Sequence, residues 1–598
     1  MTAIKEVVNK IVDHPKVSLL VIFVLTLAAY SNIFSNDFVL DDYDLVADWP
    51  LIQDFRNFPQ FFISFIPPDG QPWSYSPIKT FFYAISYHLW GENLLEYHLF
   101  SIFIHLISTF VVFKLTSLFL KNSWIAFWTT LLFGLHPVHV ESLTHITNSF
   151  DTIGILFLLV SYYFYIRSVP YRPLVETFAT ALSPPHKFDW DKTKNAGGIF
   201  NFNYKMSMIF AGLAIFTNEL SVSLPLLILV YDLYFRGEKI ANIKIAMRTI
   251  PFFLLVAFYT MMKWMVLGSW TQSRYLYDSF YLTMLVVFKA WVKYLALSFL
   301  PGTLTYNHIL SPGIFSLNVN DFDKYAVLSQ SFLDPQILLS LIFVVAVFYF
   351  AFKIYKNHPV TLFGLSWFFI SLLPASQIVP GEIFFAEKYL YTGIFGICLL
   401  IAYGLYQLFD ERILKLKRYA PTLATSLLLF FVTYYGLKTY VRNRDWKDQI
   451  TLLKSAVQVN PHSASLYIDL GLAYIDFGSY KEALEQFKKA ASLQPDNAHI
   501  YFSMAEGYHK LKQYEEELRS LKKAVELNPD FAEAYYNLVG VYDYLGQETE
   551  TEMNLDKSME LYLKQGHLLE ATEGWEAYNG YLLTKDQNSQ ETDSPDFP

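Results

Sequence analysis

Long apolar runs, each close to the length that crosses a lipid bilayer, recur through the first 440 residues of the chain. The first run covers 17–33. The others cover approximately 97–119, 123–138, 150–166, 205–218, 221–235, 249–268, 335–354, 360–380, 386–408 and 420–438. A membrane-spanning helix needs about 20 mostly apolar residues. The pattern therefore predicts an all-α, polytopic membrane protein with about 11 transmembrane helices.

One further apolar run, 280–300, is predicted to lie along the outer surface or to re-enter the membrane. If it does not cross, and the N-terminus is cytosolic, the basic segments 236–248, 353–356 and 412–418 all lie in the cytosol, as the positive-inside rule expects. Lys289 and Lys293, four residues apart, suit a helix at the membrane interface. An odd number of spans then places the C-terminus on the non-cytosolic side.

The composition becomes more polar after residue 440, and Asn-Pro or Gln-Pro pairs recur there at 460–461, 494–495 and 528–529. A spacing of about 34 residues is the period of tetratricopeptide repeats (TPRs). We predict a membrane domain over 1–440, with outer loops 34–96 and 269–334, and a TPR α-solenoid over 441–580 on the non-cytosolic side. The polar, acidic tail 581–598 is predicted to be disordered.

Composition narrows the class of partner. The chain is 53% hydrophobic and carries a formal net charge of −9, which argues against nucleic acid as a partner. Its single cysteine, Cys398, rules out an intrachain disulfide and a cysteine-rich zinc site. Because no small-residue cleavage site follows the first apolar run, we predict that 17–33 is a retained membrane helix.

Acidic residues follow this first run. Asp41 and Asp42 lie in the segment 36–44, and carboxylates are costly inside hydrocarbon, so they belong at the membrane surface or in a polar cavity. They could act as a general base or orient an acceptor hydroxyl. The alternative is a solvated loop cluster.

Histidines end the third apolar run, on the same predicted side. His136 and His139, with Glu141 and His145 close by, could contact phosphate or pack at a helix end. Their spacing fits no standard zinc motif, so no metal site is predicted.

Other ionisable residues lie next to apolar runs on this side. Glu219 is either functional or part of a cap for the next helix. Lys388 could bind a lipid-borne phosphate as a point charge, or snorkel and pair with Glu387. Arg274 and Lys293 are further basic candidates.

Several stretches together resemble the transmembrane-and-TPR O-mannosyltransferases and their bacterial relatives. They are NDFVLDD (36–42), YSPI (75–78), LHPVHVE (135–141), Asp151, Glu219 before LPLLILVYD (224–232), AEKYLY (386–391) and RNRDW (442–446). The resemblance implies a fold of the GT-C glycosyltransferase type. In this fold a polyprenyl-phosphate sugar enters from the membrane, and an acidic residue of the first outer loop activates the acceptor.

The same resemblance assigns roles to individual residues. It gives the catalytic role to Asp41 or Asp42, and it places His136, His139, Glu141 and Lys388 around the donor phosphate and sugar. The family usually has arginine at Ser76, a Gly-Arg pair at 148–149 and lysine at Asn218, so three basic positions are missing. A lipid phosphate needs positive charge nearby. Either Lys79, Arg274, Lys289, Lys293 and Lys388 replace them, or the donor differs, or activity is lost.

The sequence thus predicts an inverting glycosyltransferase that uses a polyprenyl-phosphate sugar and a protein hydroxyl acceptor presented by the TPRs, with no cofactor assigned. We expect a bacterial inner membrane with periplasmic TPRs, or an ER membrane with luminal TPRs in a eukaryote. The alternative is a non-catalytic membrane scaffold whose TPRs recruit envelope proteins. A transporter ranks last because the acidic and histidine residues cluster at one face and no internal membrane repeat is visible.

Overall fold

The computed structural model describes residues 10–63, 75–168, 201–236, 243–269, 271, 273–308, 331–355, 358–381, 383–409 and 420–567. The chain divides into two compact units. The membrane unit comprises Met1–Leu317 with Val327–Ser455, and the repeat unit comprises Asn318–Ala326 with Ala456–Pro598. Over the described residues both units are built from helices and turns, without strands.

The membrane unit contains a series of apolar helices joined by short helical turns. Its α-helices are Pro15–Ala29, Gln60–Ile63, Pro77–Trp90, Leu94–Leu120, Ser123–Leu135, Val140–Thr144, Ile146–Ser168, Phe202–Thr217, Leu224–Arg236, Ile243–Leu267, Phe280–Phe299, Pro335–Ile354, Pro359–Leu372, Leu390–Phe409 and Ala420–Arg442. A π-helical turn covers Tyr43–Ala47. Single 3₁₀ turns cover Phe55–Asn57, Pro137–His139, Glu219–Ser223, Leu276–Asp278, Leu373–Ala375, Glu387–Tyr389 and Asn443–Trp446.

Six of these helical segments are long and apolar enough to cross a bilayer by length and composition: Leu94–Leu120, Ile146–Ser168, Ile245–Leu267, Phe280–Phe299, Pro335–Ile354 and Glu387–Leu408. The shorter apolar helices are Pro15–Ala29, Ser123–Leu135 and Pro359–Ala375. The polytopic helical class is confirmed, and helices cover most of every predicted apolar run. The number of about 11 spans stays a prediction, as does the path of Phe280–Phe299 relative to the membrane.

Two of the apolar helices show why this unit belongs in lipid. In Ile245–Leu267 and Pro335–Ile354 only 11% and 22% of the most apolar window is buried inside the protein. Leu254, on the first, and Phe352, on the second, are 63% and 71% exposed. Continuous exposed apolar surface of this extent indicates contact with a membrane rather than with water.

Other helices pack closely because small residues let their backbones meet. Pro359–Leu372 lies against Leu390–Phe409, and a Cβ atom added at Gly396 would collide with the carbonyl oxygen of Gly364. Any larger residue at Gly396 would force these two helices apart. Small residues commonly line helix contacts in membranes for this reason.

The repeat unit is a series of antiparallel helix pairs, as the 34-residue period predicts. Its helices are Ala464–Asp476, Tyr480–Leu493, Ala498–Lys510, Tyr514–Leu527, Ala532–Tyr544 and Glu548–Gln565, and the helix Gln449–Val459 crosses the boundary between the units. Gly471 gives the Phe487 ring room between the helices of the first pair. Ser463 and Asn497 cap helix N-termini by accepting backbone N–H groups.

Several predictions fall outside the described residues. These include the acidic tail 581–598, the basic segment 412–418, and the parts of the two outer loops at 64–74 and 309–330.

Candidate active site

A sharp bend after the first helix presents the two aspartates. It is fixed against the segment 443–449, because the Asp37 N–H donates to the Lys447 carbonyl at 2.8 Å and the Leu40 N–H donates to Gln449 Oε1 at 2.8 Å. Leu40 has a φ of +55°, a conformation that non-glycine residues adopt only rarely. A strained residue held in this way often marks a functional segment.

Asp42 anchors the start of the helix Ile146–Ser168. Its side chain is fully buried, and its Oδ2 atom accepts the Val39 and Ile146 N–H groups, each at 3.2 Å. Its Oδ1 atom accepts the Thr147 N–H at 2.7 Å. Burial raises the pKa of this carboxyl. Asp42 therefore acts as a structural acceptor at a helix N-terminus, where a carboxylate is favoured.

Asp41 has a different environment although it is the adjacent residue. About 39% of its side chain is exposed, and its Oδ1 atom accepts from His145 Nε2 at 2.8 Å and from the Thr147 hydroxyl at 3.2 Å. Burial opposes ionisation, but His145 outweighs it and holds the pKa of Asp41 below its usual value. Asp41 is therefore an ionised carboxylate that another molecule can reach.

His145, which the sequence analysis noted beside the histidine motif but did not assign to the site, is the partner of Asp41. It is almost fully buried, stacks on the Trp446 ring at 5.7 Å, and approaches Asp42 Oδ1 at 3.3 Å. Burial lowers its pKa, but Asp42 and Asp41 outweigh this effect and raise it. The sequence signal was weak, because His145 merely follows the 135–141 motif.

The same three residues could in principle chelate a cation. One ligand atom each from Asp41, Asp42 and His145 lies within 4.8 Å of the others. However, a divalent ion could bind His145 Nε2 only in place of its hydrogen bond to Asp41, and it would compete with backbone N–H groups for the oxygens of Asp42. The donor set fits a hydrogen-bonded acid pair better than a metal centre.

Lys388 reaches this centre from the start of another helix. Its Nζ donates to Asn148 Oδ1 at 3.0 Å, and its N–H donates to Glu141 Oε2 at 3.1 Å. Glu387 faces elsewhere, accepting from His308 Nε2 at 2.7 Å. The structure thus directs Lys388 toward Asn148 rather than toward the neighbouring carboxylate.

A buried charge network supports Lys388 from behind. Arg442 NH1 donates to Asp445 at 2.9 Å, and Arg442 NH2 lies 3.9 Å from Glu387 Oε2. Burial, and then the charge of Glu387, raise the pKa of Glu141. The sequence motif 442–446 thus has a physical explanation, because the positive charge of Arg442 offsets the negative charge of the buried Glu387 next to the site.

Asp151 contacts residues at or near two positions, 76 and 218, that carry basic residues in the family that the sequence resembles. Lys79 Nζ pairs with Asp151 at 3.1 Å, one helical turn beyond Ser76. Asn218 Nδ2 donates to the Asp151 carbonyl at 3.1 Å, an approach that Gly154 permits because a Cβ there would lie 2.6 Å from the Asn218 side chain.

Glu219 pairs with a residue that the sequence analysis missed. Lys263 Nζ donates to both of its carboxylate oxygens, at 2.7 and 2.9 Å. Lys263 lies in the apolar helix Ile243–Leu267, and a charge in such a run was an available signal.

The remaining basic and histidine candidates have other surroundings. His136 is fully buried and bonds through Nε2 to the Ser298 carbonyl at 3.0 Å. His139, also fully buried, packs against the Tyr391 ring at 4.3 Å. Lys293 Nζ lies over the Phe385 ring at 4.6 Å. Arg274 is exposed, and among the described residues no ion pair joins it to this cluster.

Fold and site together define a class: a multi-pass helical membrane protein with a carboxylate-centred polar site, followed by TPRs. A TPR repeat model matches residues 471–512, and a tetratricopeptide repeat model matches 498–531. The predicted repeats are confirmed.

The curated proteins that the chain is similar to are protein O-mannosyl-transferases, as the resemblance predicted. Mouse "Protein O-mannosyl-transferase TMTC3" is 25% identical over 73% of this chain and 46% of its own length. "Protein O-mannosyl-transferase F38B6.6" of Caenorhabditis elegans is 24% identical over 77% of this chain and 60% of its own length. The chain thus spans about half the length of the curated relatives it matches.

A solved structure titled "Crystal structure of MamA" covers 25% of this chain at 22% identity. Its TM-score of 0.19 is too low to indicate a shared overall fold.

Proposed function

We propose that the chain is an inverting membrane glycosyltransferase that moves a sugar from a polyprenyl-phosphate donor to a hydroxyl group of a protein, on the non-cytosolic face. The observation that carries this proposal is the partly exposed, ionised Asp41 beside Asp42, which is buried and accepts backbone N–H groups. The names of the relatives support a mannosyl donor and a protein acceptor. The membrane would be a bacterial inner membrane, or the ER membrane in a eukaryote.

In the proposed reaction the acceptor oxygen attacks the anomeric carbon of the sugar. The bond between that carbon and the phosphate oxygen breaks, and polyprenyl monophosphate leaves. The acceptor proton passes to Asp41, which regains its charge when the proton returns to water. General-base assistance of this kind contributes about 10²–10⁴-fold to rate.

Lys388 is our candidate for the leaving phosphate. It bonds to the neutral Asn148 amide, whereas Lys79 and Lys263 are each paired with a carboxylate. Because a neutral amide does not offset the positive charge of the ammonium group, Lys388 can bind an incoming phosphate. We assign Glu219 the task of holding Lys263 and Glu141 that of holding the Lys388 backbone, while His136 and His139 pack the core.

The repeat unit offers a groove for the protein acceptor. Its cavity of about 630 Å³ is lined by Phe502, Tyr514, Tyr536 and Tyr544, with the acidic side chains of Glu506 and Asp543 at its wall. Tyr536 and Tyr544 are 41% and 64% exposed. Exposed aromatics in a TPR groove favour peptide binding.

The second candidate function is a non-catalytic scaffold. The observation that favours it is the pairing of Lys79 and Lys263 with carboxylates, so that neither of these two lysines offers an unpaired cation in place of the basic residues missing at Ser76, Ser149 and Asn218. A scaffold would use the repeat unit alone to bind its partners.

One experiment separates the two. Cells express the wild type, Asp41→Asn, or Asp48→Asn as a matched control on the same loop, and glycoproteomics of exported proteins is compared. We expect a glycan that Asp48→Asn preserves and that Asp41→Asn reduces about 10²-fold or more. Equal profiles for all three, with each protein folded and membrane-inserted, would favour the scaffold.

A further inference from the structure

A continuous chain of hydrogen bonds connects the cation to the acid of this site. Lys388 Nζ donates to Asn148 Oδ1 at 3.0 Å, Asn148 Nδ2 meets His145 Nδ1 at 2.6 Å, and His145 Nε2 meets Asp41 Oδ1 at 2.8 Å. Four side chains from three separate segments thus form one line.

Donor and acceptor chemistry gives this line a direction. An ammonium group can only donate, so the Asn148 atom that faces Lys388 is the carbonyl oxygen. The amide nitrogen then faces His145 Nδ1 and donates to it. The neutral imidazole carries its remaining proton on Nε2, where it points at Asp41.

The geometry is rigid at each step. Asn148 and His145 are about 4% and 5% exposed, and Trp446 stacks on the imidazole. Asp42 holds the backbone of the turn between them through Ile146 and Thr147.

An ordinary packing histidine in the same unit looks different. His98 is also buried, but its Nε2 bonds to a backbone carbonyl, that of Asn36, at 3.0 Å. His145 instead contacts two carboxylates, one of them exposed.

We propose that His145 and Asn148 are positioning residues: with Lys388 they form a relay that fixes the orientation of Asp41 for proton acceptance. This inference deepens the proposed transferase function and rests on it. Loss of the relay should slow the chemical step more than it weakens donor binding, since neither residue is proposed to touch the sugar.

The relay also predicts a dependence on pH. The charged groups that face His145 are Asp41, Asp42 and Lys388. Protonation at Nδ1 would remove the acceptor that Asn148 uses, so the relay is complete only while the imidazole is neutral. Activity should therefore fall as the pH drops through the pKa of His145, and a residue that cannot titrate should remove this decline.

The test uses the full chain in lipid nanodiscs, a polyprenyl-phosphate mannose donor, and an acceptor peptide identified by the glycoproteomic comparison. We expect His145→Ala to lower kcat about 30-fold with donor KM changed less than about 3-fold. His145→Gln keeps an N–H donor near Asp41, so it should retain kcat within about 5-fold and lose the acid decline. His88→Gln, at an exposed histidine of the same unit, is the matched control and should match the wild type.

A double-mutant cycle sharpens the result. Asn148 acts on Asp41 through His145 and also holds Lys388, so the losses in Asn148→Ala and His145→Ala should be clearly less than additive in the double variant. Full additivity, equal damage from His145→Ala and His145→Gln, or wild-type kcat in His145→Ala would each overturn the relay.

A spectroscopic measurement keeps the inference independent of catalysis. In ¹⁵N spectra of histidine-labelled protein followed through a pH titration, the resonance lost in His145→Gln should show, above the pKa of His145, a neutral ring protonated at Nε2. Protonation at Nδ1 instead would refute the relay. If transfer is unaffected by Asp41→Asn while this tautomer is found, the proposed function fails and the hydrogen-bond chain stands.

Discussion

Two neighbouring regions of the membrane unit hold their carboxylates in opposite ways. In the acid centre, formed by Asp41, Asp42 and His145, the partners are backbone N–H groups and an imidazole. In the lysine pairs, Lys79–Asp151 and Lys263–Glu219, each carboxylate meets an ammonium group.

The difference shows how one polar face can serve two purposes. An imidazole and backbone N–H groups fix a carboxylate yet leave it able to exchange protons. A lysine pair stores positive charge, which becomes available only when an anion competes with the carboxylate. The acid centre is therefore suited to proton transfer, and the lysine pairs to a secondary electrostatic role.

A substitution at Lys388 tests the contrast between the acid centre and the lysine pairs most strongly. Replacing it with Met removes the cation that we propose binds the leaving phosphate and also ends the relay to Asp41. We expect kcat/KM for the donor to fall about 100-fold, because charge-assisted phosphate contacts act most strongly in the transition state. Steady-state kinetics in nanodiscs measures this loss. Lys263→Met is the matched control, and a larger loss in it than in Lys388→Met would reverse the roles of the two regions.

A substitution at Asp42 tests the anchoring role that we assign to this residue of the acid centre. In Asp42→Asn the amide nitrogen would face backbone N–H groups that now donate to a carboxylate. The expected cost is roughly 2–3 kcal/mol of folding stability, the scale of lost hydrogen bonds to a buried charged group.

Thermal unfolding in nanodiscs measures that cost. Asp54→Asn, in the exposed pair with Arg56, is the comparison variant and should lower the melting temperature less. Equal shifts in the two variants would contradict the anchoring role of Asp42.

Much of the fold could be predicted from the sequence because its physical signals are local. Apolar runs long enough to cross a membrane, and prolines at the TPR period, depend only on residues near in the chain. The helices Leu94–Leu120 and Ile146–Ser168 confirm the first signal, and the matches at 471–512 and 498–531 confirm the second. The number of membrane spans depends on short apolar runs such as 205–218, where a few polar residues decide whether the run can cross the bilayer.

The site was less predictable because its contacts join distant segments. Asp41 and Lys388 were visible as charges beside apolar runs, but the imidazole between them depends on a contact across 104 residues. The role of Lys263 depends on the packing of its helix beside Glu219, which the structure shows. The charge of Lys263 in an apolar run can be read from a short window of sequence, but neither of these two contacts can.

The Lys263–Glu219 pair itself provides a smaller test. Glu219 is more than a third exposed, so the pair should contribute less than about 1 kcal/mol to stability. We expect Lys263→Gln to raise the donor KM about 3-fold and to shift the melting temperature little. If the lysine only neutralises Glu219, the double variant Lys263→Gln with Glu219→Gln should restore the wild-type KM. A double variant as weak as Lys263→Gln would instead show that the lysine binds the donor directly.

The smallest expected effect concerns pH and Glu141. Burial and the charge of Glu387 raise the pKa of Glu141 to about 7, so the folded state binds a proton that the unfolded state releases at lower pH. Between the usual pKa of a glutamate and that raised value, stability must fall as pH rises, and the contribution is complete only below the unfolded pKa. Glu141→Gln removes this titrating group. The change of melting temperature between pH 5 and pH 8 should therefore be about 1–2 °C smaller in the variant than in the wild type. Glu219→Gln, at a partly exposed carboxylate, is the control that should keep the wild-type slope. Equal pH slopes of the melting temperature in the wild type and in both variants would show that Glu141 does not govern how the membrane unit responds to pH.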